Sequence, residues 1–184
     1  MFEPLNGKNG VRLDNKKNLQ QINDVSLEPD CIGRMTIKKQ LLCMFIAEVL
    51  LKIMKTSMIE QDLFDYIWFV RKNMSKSNLL NNNYGIVLLI KISEILGFGP
   101  LKKSMSNAYF HLELGEFVDF YNKKESIMDK NRSDCLKKIL NNNLAKTTYK
   151  DRKMILEDMI LYFKIHDHEL KNLTSHLIIE SLRE

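Results

Sequence analysis

The chain has 184 residues, enough for one domain with a substantial core. Hydrophobic residues make up 45% and charged residues 28%, a globular balance that excludes wholesale disorder. The 7 Gly and 3 Pro exclude collagen-like and linker-like chains and are few for an all-β protein full of tight turns. A formal net charge of +5 suits attraction to nucleic acid or to an acidic partner without naming either.

Residues 1–36 hold five basic and five acidic groups, so the positive excess lies later in the chain. Asn6-Gly7 and Asn9-Gly10 are turn signals, and the mixed runs 11–13 and 19–25 read as short strands or irregular chain. Met1-Phe2-Glu3-Pro4 lacks the basic-then-apolar pattern of a secretory leader. The longest apolar run, Leu41 to Leu51, is too short to span a bilayer and contains Glu48.

From Thr36 the pattern turns helical. Ile37, Leu41, Leu42, Met44, Phe45, Ile46, Val49, Leu50, Leu51, Ile53 and Met54 cover nearly the whole circumference, which predicts a central helix buried on all sides. Glu48 within it then needs a backbone donor or a Lys/Arg partner. A catalytic carboxylate is the alternative. Cys31, Cys43 and Cys135 are too widely spaced for a disulfide framework or a cysteine zinc site, and they fit a reducing cytoplasm. Cys43 reads as a small core residue.

A second helix is predicted over 60–73, with Leu63, Phe64, Ile67 and Trp68 as its buried face. A loop follows at Asn81-Asn82-Asn83. The third helix, 84–96, stops at Gly97-Phe98-Gly99-Pro100, where glycine supplies a left-handed cap and proline forbids resumption. Alternation on either side of Gly115 predicts a small β-hairpin over 109–118. A short helix is expected around 133–140, then a second Asn loop at 141–143. Thr148-x-x-Asp151 reads as a capping box opening a fifth helix that ends near Asp167. A last helix carries Leu173, Leu177, Ile178 and Leu182.

No glycine-rich phosphate loop, G-x-S-x-G or H-E-x-x-H motif occurs. His166 and His168 are two apart and do not share a helix face, so they read as solvated or capping groups rather than metal ligands. Between Leu101 and Ile155, twelve Lys/Arg face seven Asp/Glu. Phosphate binding needs such cations on one surface; otherwise they form a solvated face. Phe and Tyr mostly fall on core stripes, so no stacking aromatics are identified.

The order of these motifs resembles the RecO family of DNA recombination and repair mediators. The likeness begins at Phe2-Glu3-Pro4-Leu5, similar to a "QPL" stretch in the family's N-terminal OB-fold barrel. It continues through Leu41–Leu50, Leu63-Phe64-Asp65-Tyr66-Ile67 and Leu96-Gly97-Phe98-Gly99-Pro100. Tyr109-Phe110-x-Leu112-x-x-Gly115-x-Phe117, Tyr162-Phe163-x-x-His166 and the closing Leu-rich segment complete it. The family's chains start well before the "QPL" stretch, so the resemblance implies a shortened chain. The fold it implies is mainly α: a helical RecO-like C-terminal domain with a small β-hairpin over 33–184, preceded by an incomplete OB-fold remnant over 1–32. Many members carry a four-cysteine zinc motif after the third helix. Leu101 to Ala108 has no cysteine, so zinc is not carried over.

The resemblance implies binding rather than catalysis, with no catalytic residue, cofactor or metal. Expected partners are single- and double-stranded DNA, RecR and the acidic C-terminal tail of single-strand-binding protein, in a cytoplasmic, nucleoid-associated setting without membrane contact. Strand annealing and recombinase loading would be the outcome. Arg12, Lys16, Lys17, Lys123, Lys124, Arg152 and Lys153 are the nucleic-acid candidates. The family's arginines near the start of the third helix have no counterpart in the uncharged stretch 84–87, so Lys91, Lys102 and Lys103 stand in as peptide-binding candidates. Two rivals remain. One is a helical protein-interaction module that lost DNA binding with its OB-fold; the other is an enzyme centred on Glu48 or on His166 and His168.

Overall fold

The structure, a computed structural model, describes residues 8–9, 26–27, 36–54, 61–76, 81–166, 170 and 173–175. Among the described residues five α-helices dominate: α1 (Ile37–Ile53), α2 (Gln61–Lys76), α3 (Tyr84–Ile95), α4 (Lys130–Asn141) and α5 (Tyr149–Ile165). Four short strands are described with them: β1 (Lys8–Asn9), β2 (Ser26–Leu27), β3 (Tyr109–His111) and β4 (Glu116–Val118). β1 and β2 pair antiparallel, Lys8 opposite Leu27. The remainder of the expected barrel remnant, the runs 11–13 and 19–25, and most of the last Leu-rich helix lie outside the described residues.

α1 starts where Thr36 Oγ1 accepts the Lys39 amide at 3.4 Å. Its inner face is Leu42, Cys43, Phe45, Ile46 and Val49. Contrary to the all-round burial expected of it, Ile37, Met44 and Leu51, spaced seven apart, are exposed. Apolar composition on every side does not make a helix central when its neighbours pack against one side only. The central helix is α3, whose Leu88, Leu89 and Ile92 are fully buried. Each such aliphatic side chain contributes roughly 1.5–3 kcal/mol. At Gly85 the helices converge closely: a Cβ there would sit 3.8 Å from both Phe45 of α1 and Leu156 of α5.

α2 runs slightly longer than its expected span. Its inner face is Leu63, Val70 and Met74 with the long stem of Arg71, whereas Phe64 is 61% exposed and Ile67 and Trp68 are half-buried. The predicted face was therefore wrong at Phe64, which stacks on Trp68 one turn along (centroids 6.0 Å apart).

α3 ends in a Schellman arrangement. Gly97, at φ +87°, sends its N–H to Glu94 O (3.2 Å), and Phe98 sends its N–H to Ser93 O (2.9 Å). Phe98 then packs edge-on against Phe163 (5.0 Å). A 3-10 turn, Lys102–Ser104, leads into the hairpin, where Phe110 pairs with Phe117.

Both outer edges of the hairpin are satisfied. Leu112 N–H donates to Ser126 O and Met128 N–H to Phe110 O, so residues 126–128 line β3. On the other side Ser104 Oγ accepts from Phe117 N–H (3.0 Å) and Asn107 Nδ2 donates to Phe117 O (2.9 Å). Buried Ser133 of α4 accepts the Phe110 amide and donates to Met128 O, fixing the helix to the hairpin.

The capping box holds: Thr148 Oγ1 accepts the Asp151 amide at 3.1 Å and donates to its carboxylate at 2.7 Å. The two Asn runs are joined to one another. Buried Asn83 donates to Asn143 O (3.2 Å) and Ala145 O (2.8 Å) and accepts from Thr147 Oγ1 (2.5 Å), satisfying its amide on both sides.

Candidate nucleic-acid and peptide interface

The lysines form separate groups. Lys91 on α3 and Lys102 on the 3-10 turn both approach the Glu94 carboxylate, at 3.0 and 3.9 Å. One acid thus gathers two of the three peptide-binding candidates, and exposed Lys103 sits on the same turn as Lys102. Glu94 offsets part of their charge, so an incoming carboxylate has to compete with it. Leu101, 42% exposed, adds an apolar edge.

Exposed Lys123 and Lys124 occupy a turn after β4. Asn122 organises it, its Oδ1 accepting the Lys124 amide (3.1 Å) and its Nδ2 donating to Glu125 Oε1 (2.7 Å). Glu125 Oε2 lies 3.3 Å from Nε2 of buried His111. Since His111 Nδ1 accepts the Glu113 amide (3.3 Å), the neutral ring carries its proton on Nε2, facing Glu125.

Arg152 and Lys153 stand near the start of α5. Arg152 is committed to Thr147 O (2.7 Å), and Lys153 reaches towards Glu157 at 4.0 Å. Lys138 and Arg152 both act electrostatically on Cys135, whose thiol burial and Asp151 push above its usual range against their pull. Arg152 thus lies near α4, while Lys123 and Lys124 sit on the turn after β4. Arg12, Lys16 and Lys17 lie outside the described residues.

The other charged groups serve the fold. Arg132 Nη1 contacts both Asp158 oxygens (2.8 and 2.9 Å) while its Nε holds Asp129 at 2.9 Å. Glu48 is only partly buried, unlike the expectation, but it does find backbone donors, the amides of Thr174 (3.1 Å) and Ser175 (2.9 Å), together with the Ser175 hydroxyl. Partial burial pushes its carboxyl up, but those hydrogen bonds and Lys52 outweigh it and hold the group below its ordinary value. His166 donates through Nε2 to Leu112 O (3.0 Å), its ring stacked on Phe98 (5.3 Å). His168 lies outside the described residues. Among the described residues no group of three or more His, Cys, Asp or Glu could hold a metal, and no helix is long and apolar enough to cross a membrane.

Sequence reasoning missed the exposed aromatics. Phe64, Phe69, Phe120, Tyr121 and Tyr149 all stand at least 41% exposed, and Lys72 Nζ lies 5.3 Å from the Trp68 ring centroid. For Phe64 and Trp68 the i, i+4 spacing was a legible signal, since such a pair can stack on a helix exterior as readily as line a core.

The described residues define a mainly helical protein with small antiparallel strand pairs and lysines on its surface turns. Over 157 aligned residues the chain is 27% identical to the DNA repair protein RecO of Azobacteroides pseudotrichonymphae genomovar. CFP2, covering 78% of this chain. The resemblance drawn from motif order is borne out by this relative. The chain spans 62% of the relative's length. No protein-family model and no solved structure matches it.

Proposed function

We propose that the chain acts in DNA repair and recombination as a non-enzymatic mediator. It binds single- and double-stranded DNA and the acidic tail of single-strand-binding protein, and works with RecR in strand annealing and recombinase loading. The supporting observation is the likeness to a DNA repair protein RecO across most of this chain. The grouping of Lys91 and Lys102 around Glu94, with Lys103 on the same turn, fits an acidic peptide, and the exposed Lys123–Lys124 turn fits phosphate. An OB-fold remnant over 1–32, carrying Arg12, Lys16 and Lys17, is part of the same reading.

The test is titration of the full chain with labelled single strands, duplex and an acidic-tail peptide. Neutralising two to four phosphates predicts affinity falling about 7- to 50-fold for single strands and about 12- to 150-fold for duplex from about 50 to about 200 mM salt. An affinity indifferent to salt overturns the electrostatic mechanism. Lys102→Glu should weaken the peptide and spare DNA.

A second reading, a helical protein-interaction module, draws on the side of α2 that exposes Phe64 and Phe69 beside half-buried Trp68. Peptide binding without any DNA binding would favour it.

A further inference from the structure

β4 ends at Val118, and the chain leaves the sheet as Asp119-Phe120-Tyr121-Asn122-Lys123-Lys124. Phe120 is 53% and Tyr121 41% exposed. Neither ring is loose. Tyr121 lies 5.1 Å from Tyr109 with the planes 34° apart, and Phe120 meets His111 edge to face at 6.4 Å. Two aromatics held at the surface, with two lysines one residue further on, differ from scattered exposed apolar residues.

The electrostatics favour an anion beside the rings. The acid nearest the lysines, Glu125, is drawn back to His111 and Asn122. Among the described residues, neither Lys123 nor Lys124 has a carboxylate within ion-pair distance. Asp119 and Glu125 flank the segment, so phosphates would follow the lysine side. Glu113 and Glu116 lie at the turn end of the hairpin, where His111 pairs with Glu116 and carries the edge of Phe120; Tyr121 stays beside Tyr109 at the opposite end, where Tyr109 pairs with Val118.

We propose that Phe120 and Tyr121 form a stacking platform for unpaired nucleobases, with Lys123 and Lys124 as its phosphate partners. The ligand class is single-stranded nucleic acid. Rings offered to solvent stack on a base that exposes its own face, whereas a duplex keeps those faces within its stack. This rests on the DNA-binding reading above and gives it a strand preference and named residues.

The experiment is fluorescence anisotropy of the full chain with a labelled oligo-dT strand and with a duplex of equal length. It compares wild type, Phe120→Ala, Tyr121→Ala, Tyr121→Phe and the Lys123→Ala/Lys124→Ala double variant. Removing either ring should weaken single-strand binding about 5- to 100-fold with the salt slope unchanged, and leave duplex binding within about twofold. Tyr121→Phe should bind as wild type does. The lysine variant should flatten the salt slope by about one to two. If wild type binds and the alanine variants bind the single strand equally well, or lose duplex to the same extent, the platform is overturned and the broader reading stands. If wild type binds neither form, both fall.

Discussion

Arg132 holds Asp158 with a single terminal nitrogen shared between both carboxylate oxygens, joining the first turn of α4 to the middle of α5. Burial pushes the Asp158 carboxyl up to about 6 despite the guanidinium pulling it down. A folded-state value above the ordinary 3.8 means that the native protein binds this proton more tightly than the unfolded chain does. Stability from this group is therefore full below about pH 4 and lost as pH rises through about 6. Asp158→Asn should flatten that part of the thermal-stability profile, measured by circular dichroism from acid to neutral pH. Arg132→Met, which leaves a mostly buried carboxylate unpaired, should cost about 1–3 kcal/mol near neutral pH and less at acid pH.

Glu48 has the opposite sign. Its carboxyl is held below the ordinary 4.5, so its stabilisation is present above that value and fades as pH falls through the lower folded-state value. Glu48→Gln should cost about 1 kcal/mol at neutral pH, in the range of a lost helix cap. Hydrogen exchange at the Thr174 and Ser175 amides should accelerate with it. Unchanged exchange there would show that the contact contributes nothing.

Asn83 joins two loops that lie about sixty residues apart, through Asn143 O, Ala145 O and the Thr147 hydroxyl. Asn83→Ala removes three part-buried hydrogen bonds, although Asn143 O keeps the Asn81 amide, and should cost about 1–2 kcal/mol in chemical denaturation. Asn83→Asp should be worse, because a carboxylate would face two carbonyls. An Asp variant as stable as wild type would contradict the described amide orientation.

Gly97 and Gly115 both lie at positive φ, +87° and +66°, but in different surroundings. A Cβ at Gly97 meets nothing within 4 Å, while one at Gly115 would stand 2.7 Å from the Tyr162 hydroxyl. That hydroxyl is tied to Phe98 O, and burial pushes its pKa up to about 12. Gly97→Ala should cost about 1 kcal/mol from backbone conformation alone. Gly115→Ala should cost more, about 2–3 kcal/mol, because the displaced phenol also loses its partner. Equal losses would refute the steric difference.

What was legible in the sequence was local. Thr148 and Asp151 declare the start of α5 because a cap and its amide lie three residues apart, and Gly97 declares the end of α3 because few other residues tolerate its backbone angle. Motif order across the helical body also led to the family likeness. Illegible were relationships between separate elements: Arg132 with Asp158, Glu48 with Ser175, Lys102 with Glu94. No periodicity encodes these, since each depends on how helices lie against one another. The buried face of α2 was misread for a different reason. Hydrophobic spacing treats every Phe as an inward residue, whereas Phe64 finds partial cover on Trp68 at the surface and the Arg71 stem goes inward. The same assumption hid Phe120 and Tyr121.

The hairpin has neighbours along both outer sides, residues 126–128 beside β3 and the side chains of Ser104 and Asn107 beside β4. A sheet so flanked offers little ladder for another chain to extend. Self-association by strand addition is thereby discouraged at this hairpin, a safeguard for a protein that carries several greasy side chains on its outside. Should copies of it cluster at high concentration, the contacts would run through helix surfaces such as those bearing Leu51 or Phe69. They should respond to polar substitution there, and not to changes in the strands.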